Sequence, residues 1–431
     1  MNFDPNKSDH NTKNASESQK FENSTLLSRR SFLYGALGVG ALALASTHIS
    51  SPNLAFADDQ DIEYLSVPES SVFTLDDCTE IPFTDALSLM GRFELPYGTL
   101  LWASGDNLAA CLFPTEHSKP LTQVGILYLS SGNYEIVIET PLGLNEGFDI
   151  YDVRANDQGL VWTEANILSG VWRIFSASFE NGVLGESLLL DEGDHEWETP
   201  TIAVADSFAF WQVLPKTTGK YASENSVLKR AFFGSSENEI VYRSEGRMSS
   251  PPYPLKDALV ITPRTSTDAI HHQLTLISAS SGNVDDSLIL PQGMRPTETG
   301  YGKTGFSFSF DGIYNYGEGI SNLGTYTAQS SHEAYDYEGK TWFRFNKPPA
   351  GSPSWCADHF IVKSTRSVCG VDVANKIYYA IDVENGSDSY GDYLGSTGEN
   401  NTFLTYANVH EKPSDDEEKR YCLVRLWTLN A

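Results

Sequence analysis

One short apolar run recurs seven times along this chain, and no other feature narrows its possible folds as much. The copies begin at Leu108, Leu160, Phe208, Leu259, Phe306, Phe360 and Phe403, at intervals of 43 to 54 residues. A period near 40 to 50 residues belongs to units that cannot bury their own apolar face and must stack on neighbours. Two residues before each start stand Asp106, Gln158, Asp206, Asp257, Thr304, Asp358 and Asn401. Such side chains bond nearby backbone amides in tight turns, so a hairpin turn is expected at each.

The third copy shows four strands most plainly: Thr199 to Ala205, Phe208 to Leu214, Val227 to Phe233 and Glu239 to Arg243. Fourth strands recur at Tyr134 to Thr140, Ser187 to Leu190, Ser287 to Leu290 and Thr341 to Phe345. The pattern predicts an all-β protein, a β-propeller of seven four-stranded blades over residues 95–431, with a β-sandwich as the rival architecture. The seventh copy ends one strand short. The segment 58–94 is therefore expected to supply a closing strand, from Val72 to Leu75 or Thr79 to Phe83, beside the C-terminal strand. Closure of the ring would leave no long exposed edge. Trp102, Trp162, Trp172, Trp211, Trp342 and Trp427 lie within the repeats and read as core.

In Leu127-Tyr128-Leu129-Ser130-Ser131-Gly132 and Leu276-Ile277-Ser278-Ala279-Ser280-Ser281-Gly282, an apolar strand ends in a Gly-containing turn. These repeats resemble the TolB-like class of β-propellers. The resemblance implies a fold and no chemistry, since propellers host many functions.

Residues 1–27 are polar, and Ser28-Arg29-Arg30-Ser31-Phe32-Leu33 follows them. Behind lies a mildly apolar stretch from Phe32 to Ala45, shorter than a membrane span, and then Ala55-Phe56-Ala57. This resembles a twin-arginine signal peptide over residues 1–57, with Arg29 and Arg30 as the export signal. The resemblance implies the Tat translocase as a partner during export, and a secreted or cell-envelope location without a transmembrane span in the mature chain. Twin-arginine substrates cross already folded, so disulfides among Cys78, Cys111, Cys356, Cys369 and Cys422 are not expected, although a Cys78 to Cys422 bond would suit closure.

With 57 acidic and 29 basic side chains the formal charge is −28, which argues against an electrostatic grip on nucleic acid or anionic lipid. No Walker, GxGxxG, HExxH, GxSxG or EF-hand string occurs. No cofactor or metal is expected: the adjacent His271 and His272 would point to opposite faces of a strand. His195, His332, His359 and His410 come from other blades. Connections between blades gather at one mouth of a propeller. They carry Asp191-Glu192-Gly193-Asp194-His195-Glu196-Trp197-Glu198, Glu146, Phe148, Arg247, Arg295 and Trp355. The position eleven residues before each start holds Tyr97, Asp149, Trp197, Met248, Arg295, Pro349 and Asp392.

Aromatic faces beside Arg and carboxylates suit a sugar or a polar organic ligand. The expected function is binding of a partner protein, envelope component or small polar ligand, with Trp197, Arg247, Arg295, Trp355, His195 and Glu196 as contacts. The alternative is a carbohydrate-active enzyme, a lyase or glycoside hydrolase, using Asp191, Asp194, Glu196 or Glu198 as acid or base. The acidic run Asp415 to Glu418 reads as a solvated hairpin tip.

Overall fold

The computed structural model describes residues 64–180, 183–265, 270–310, 324–328, 342–345, 349–412 and 418–430. The export segment with Arg29 and Arg30, His332 and Asp415 lie outside them. The protein is all-β, at 55% strand and 4% helix. Among the described residues the strands form seven sheets in a propeller-like succession, numbered in chain order I (100–138), II (149–193), III (201–243), IV (253–289), V (296–344), VI (354–380) and VII (393–429).

Sheet I pairs Leu100–Trp102, Leu108–Pro114, Thr122–Tyr128 and Tyr134–Ile138 as an antiparallel meander. Sheet III repeats it with Thr201–Ala205, Phe208–Val213, Val227–Phe232 and Asn238–Arg243, and sheet IV with Tyr253–Pro254, Ala258–Ile261, Gln273–Ser278 and Val284–Ile289. Each of the seven apolar runs is the second strand of its sheet. Those strands are covered on both faces: Phe208–Val213 is buried from its second residue on, and Gly305–Phe310 throughout. Double burial explains why they read as continuous apolar runs instead of alternating ones.

The core is divided the same way. Separate apolar clusters lie between sheets I and II, around Trp162, and between II and III, around Trp172 and Trp211. Others join III to IV, IV to V, V to VI and VI to VII. One more, with Leu101, Phe113, Leu404 and Val424, joins VII back to I.

Four sheets are edged by the N-terminal segment. Leu65 and Val67 are fully buried against sheets IV and V, and the Leu65 N–H donates to Ile289 O at 2.8 Å. Val72–Thr74 then pairs parallel with Trp342–Arg344 of sheet V, and Thr79–Glu80 parallel with Ile377–Ala380 of sheet VI. Leu87–Pro96 pairs antiparallel with Lys419–Leu429, from Leu87 opposite Leu429 to Pro96 opposite Tyr421. The strand beside the C-terminus is thus not Val72 to Leu75 or Thr79 to Phe83. Those two stretches offer only two or three ladder residues each, whereas Leu87–Pro96 offers nine.

Beside local bonds such as those from Gln158 N and Gly159 N to Asn156 Oδ1, the turns also carry bonds between sheets. Asp106 accepts from Asn401 N and Nδ2 and from Thr402 N and Oγ1, tying sheet I to VII. Asn107 Nδ2 donates to Asp157 at 2.6 Å, Asn156 Nδ2 to Asp206 O at 2.8 Å, and Asp206 N to Lys256 O at 2.7 Å. Lys303 pairs with Asp358, and Ala357 N donates to Asn400 O. The turns of sheets I, II, III, IV and VII line one cavity of about 430 Å³.

One link runs between sheets that are not neighbours in the chain order. Gly398–Asn400 leaves sheet VII to pair parallel with Ser354–Cys356 of sheet VI. The Tyr253 hydroxyl, from sheet IV, accepts from Gly398 N at 2.8 Å and donates to Pro353 O at 3.1 Å. Gly398 has φ +81°, and a Cβ there would stand 3.1 Å from Pro254 O, so the link needs glycine. All five cysteines are free, so no Cys78 to Cys422 bond forms. Among the described residues no helix is long and apolar enough to cross a membrane.

Candidate functional site

The connection from sheet II to sheet III and the loop between the second and third strands of sheet III fold over each other. Trp197 meets Pro215 in an isolated antiparallel bridge, and its ring stacks on Tyr221 with centroids 5.4 Å apart and planes 21° apart. Glu196 fixes the loop by accepting from Lys220 N at 3.1 Å, and His195 Nε2 lies 3.3 Å from the same carboxylate. Lys220 sits over the Tyr221 ring at 4.6 Å. The stacked pair forms one wall of an open cleft of about 690 Å³. Its other walls carry Trp172, Asp191, Asp194, Glu224, Lys229 and Arg243. Trp172 is buried, and its indole N–H has no hydrogen-bond partner.

The carboxylates of the Asp191 to Glu198 run are engaged. Asp191 accepts from Trp211 Nε1 and from Lys229 Nζ, both at 2.8 Å. Asp194 accepts from Glu196 N at 3.0 Å, closing its own turn. Glu198 lies 3.4 Å from Arg247, whose other terminal nitrogen donates to Pro215 O. Burial lowers the Arg247 pKa, Glu198 opposes this and the charge of Arg295 adds to it. Arg295 is exposed nearby.

Trp197, His195, Glu196, Arg247 and Arg295 therefore lie along one stretch of inter-sheet connections. Trp355 does not join them. It belongs to the first strand of sheet VI, is fully buried and packs on Phe360 with centroids 4.9 Å apart, so it is core and not a contact. The position eleven residues before each start does not form a common ring either. Met248 is buried, and Asp392 is buried against Arg425 at 2.7 Å. Burial pushes Asp392 up to about 6 against the pull of Arg425. Glu146 pairs with Arg173, and Phe148 is buried beneath that same guanidinium.

His271 and His272 each face a backbone carbonyl, Leu290 O at 2.9 Å and Met294 O at 3.2 Å. Among the described residues no three acidic, His or Cys side chains are placed to hold a metal ion. Sequence reasoning missed Tyr221, Lys220 and Glu224, whose loop belongs to no recurring pattern. The available signal was its length, since thirteen residues separate the second and third strands of sheet III.

No protein-family model and no characterised protein matches the sequence. Among solved structures, the chain is similar to a prolyl endopeptidase at 10% identity and a TM-score of 0.45, over 78% of this chain and 46% of that one. The chain thus spans about half the length of that protein. It is similar to an oligogalacturonate lyase from Vibrio parahaemolyticus at 8% identity and a TM-score of 0.44, over 79% of this chain and 97% of that one. It is also similar to the β-propeller domain of the trilobed protease from Pyrococcus furiosus at 11% identity and a TM-score of 0.37, over 64% and 83% of the two chains. At such identities these likenesses carry no chemistry to this chain.

Proposed function

We propose that the seven sheets are the blades of one closed propeller, that the chain is exported through the twin-arginine route, and that it binds a small polar ligand outside the cytoplasm. Support for closure comes from the apolar cluster between sheets VII and I and from the nine-pair ladder of Leu87–Pro96 on Lys419–Leu429. Support for export is the string around Arg29 and Arg30, with the Tat translocase as partner in transit.

The binding reading rests on one observation, the Trp197–Tyr221 stack walling a cleft rich in hydrogen-bonding groups. An aromatic face takes the apolar side of a sugar or similar ring, while surrounding carboxylates, amides and cations take its hydroxyls. The role is binding, without catalysis. Asp191, Asp194, Glu196 and Glu198 each hold a backbone amide or a cation, which favours a supporting role for them over acid or base work.

Screening the purified protein against soluble glycans and envelope extracts tests this. Trp197→Ala and Tyr221→Ala should each weaken a captured ligand about 30-fold, the equivalent of roughly 2 kcal/mol, with thermal unfolding within a few degrees of wild type. A ligand that binds both variants unchanged places the site elsewhere. A captured ligand that the wild type converts to product, and an Asp194 variant does not, overturns the noncatalytic role.

A further inference from the structure

The cleft beside the Trp197–Tyr221 stack is walled by more carboxylates than cations. Asp191, Glu192, Asp194 and Glu224 belong to its walls, against Lys229 and Arg243. Lys229 is held by Asp191 at 2.8 Å, and Glu192 has only a distant partner outside the cleft, Arg173 Nε at 3.7 Å. Asp194 accepts from Glu196 N, and the exposed Glu224 side chain makes no hydrogen bond; neither has an ion-pair partner among the described residues. Two carboxylates without a counter-ion thus stand against one such cation, Arg243. The protein's own ammonium is already drawn to this wall. Lys220 Nζ donates to the Tyr221 hydroxyl at 2.8 Å, and that bond, then the charges of Tyr221, Glu196 and Asp194, hold its pKa above the usual value.

A second group in the same walls calls for an oxygen. Trp172 is 2% exposed, and its indole N–H has no acceptor among the described residues. A buried donor left unpaired is costly, and a ligand oxygen placed against it removes that cost. A bare metal ion meets neither need. It offers no acceptor to an N–H, and among the described residues no three acidic, His or Cys side chains are placed to hold one. An ammonium on an oxygen-bearing ring meets both, because aromatic rings attract cations and ionised carboxylates form the stronger hydrogen bonds with them.

We infer that the cleft takes an amino sugar, its ring against Trp197 and Tyr221, its ammonium on Asp194 and Glu224, and one of its oxygens on the Trp172 N–H. This rests on the binding site proposed above and names the charge of what it takes. Isothermal titration of the full chain with glucose, glucosamine and N-acetylglucosamine tests it, at low salt and about pH 6, where only glucosamine is charged. Glucosamine should bind at least about 10-fold more tightly than the other two.

Glu224→Gln changes an exposed side chain without a partner and should cut that preference at least about 3-fold. Equal binding of the three sugars, or a preference untouched by Glu224→Gln, overturns the ammonium and leaves the aromatic site standing. If Trp197→Ala leaves glucosamine binding unchanged while Glu224→Gln removes its preference, the aromatic site fails and the acidic wall stands. Binding of none of the three overturns the amino sugar, and the screen of glycans and envelope extracts then decides the aromatic site by itself.

Discussion

Replacing Tyr253 by Phe deletes the one oxygen that links sheet IV to Gly398 and Pro353. The hydroxyl accepts the Gly398 N–H at 2.8 Å and donates to Pro353 O at 3.1 Å, and all three residues are buried. The variant leaves one backbone donor and one acceptor unpaired away from water, at about 1 to 3 kcal/mol each. Release of the hydroxyl's own desolvation offsets part of this, so a loss of about 2 to 4 kcal/mol is expected. An unfolding entropy of about 2.1 cal/mol/K per residue over about 370 residues gives about 0.8 kcal/mol/K, so Tm should fall by about 3 to 5 °C. Calorimetry reads the fall, and hydrogen exchange at the Gly398 amide localises it. Tm within 1 °C of wild type, with Gly398 exchanging as slowly as before, would refute the link.

Asp392 makes stability depend on pH. Its folded pKa of about 6 lies above the ordinary 3.8, so the native state holds the proton more tightly and this group's contribution declines as pH rises from about 4 to 6. That gap is worth about 3 kcal/mol, and in urea melts the unfolding free energy of Asp392→Asn minus that of wild type should rise by about this much between pH 4 and pH 7. Deleting residues 422–431 removes the strand between Leu87–Pro96 and Thr402–Glu411 and should abolish cooperative unfolding, which circular dichroism against temperature would reveal. Exchange of Arg29 and Arg30 for Lys should block export without changing the melting of the purified protein, as cell fractionation can determine.

The sheets were legible because each second strand is buried on both faces and so announces itself as an unbroken apolar run, as in Phe306 to Phe310. The N-terminal strands were not. Val72–Thr74 and Thr79–Glu80 pair with strands some 270 to 300 residues later, and nothing in three local residues encodes such a partner. The link through Gly398–Asn400 escaped notice for the same reason. In the site, Trp197, Arg247 and Arg295 were found because they lie between recurring strands. Trp355 was misplaced because the first strand of sheet VI starts at Ser354, before the connection had been expected to end. Tyr221 was invisible because a long loop carries no period.

The N-terminal edging also orders events during synthesis. Its partners are Ile289, Trp342–Arg344, Ile377–Ala380 and finally Lys419–Leu429, met in the same direction along both segments. Each part of the segment therefore waits for its own later partner: Leu65 for Ile289, Val72–Thr74 for Trp342–Arg344, Thr79–Glu80 for Ile377–Ala380 and Leu87–Pro96 for Lys419–Leu429. Before those partners exist, Leu65, Val67, Phe73 and Leu87 lack the surfaces that bury them in the finished protein. Contacts of such sequence separation form slowly, since a long loop must close before any of them rewards it. The stretch beginning at Tyr64, a few residues beyond the expected cleavage site, meets its partners from Ile289 onward, and Leu87–Pro96 can pair only after Lys419–Leu429 has been made. On the proposed export route, the address peptide would thus be attached to a segment whose full docking requires sheets IV to VII to be present.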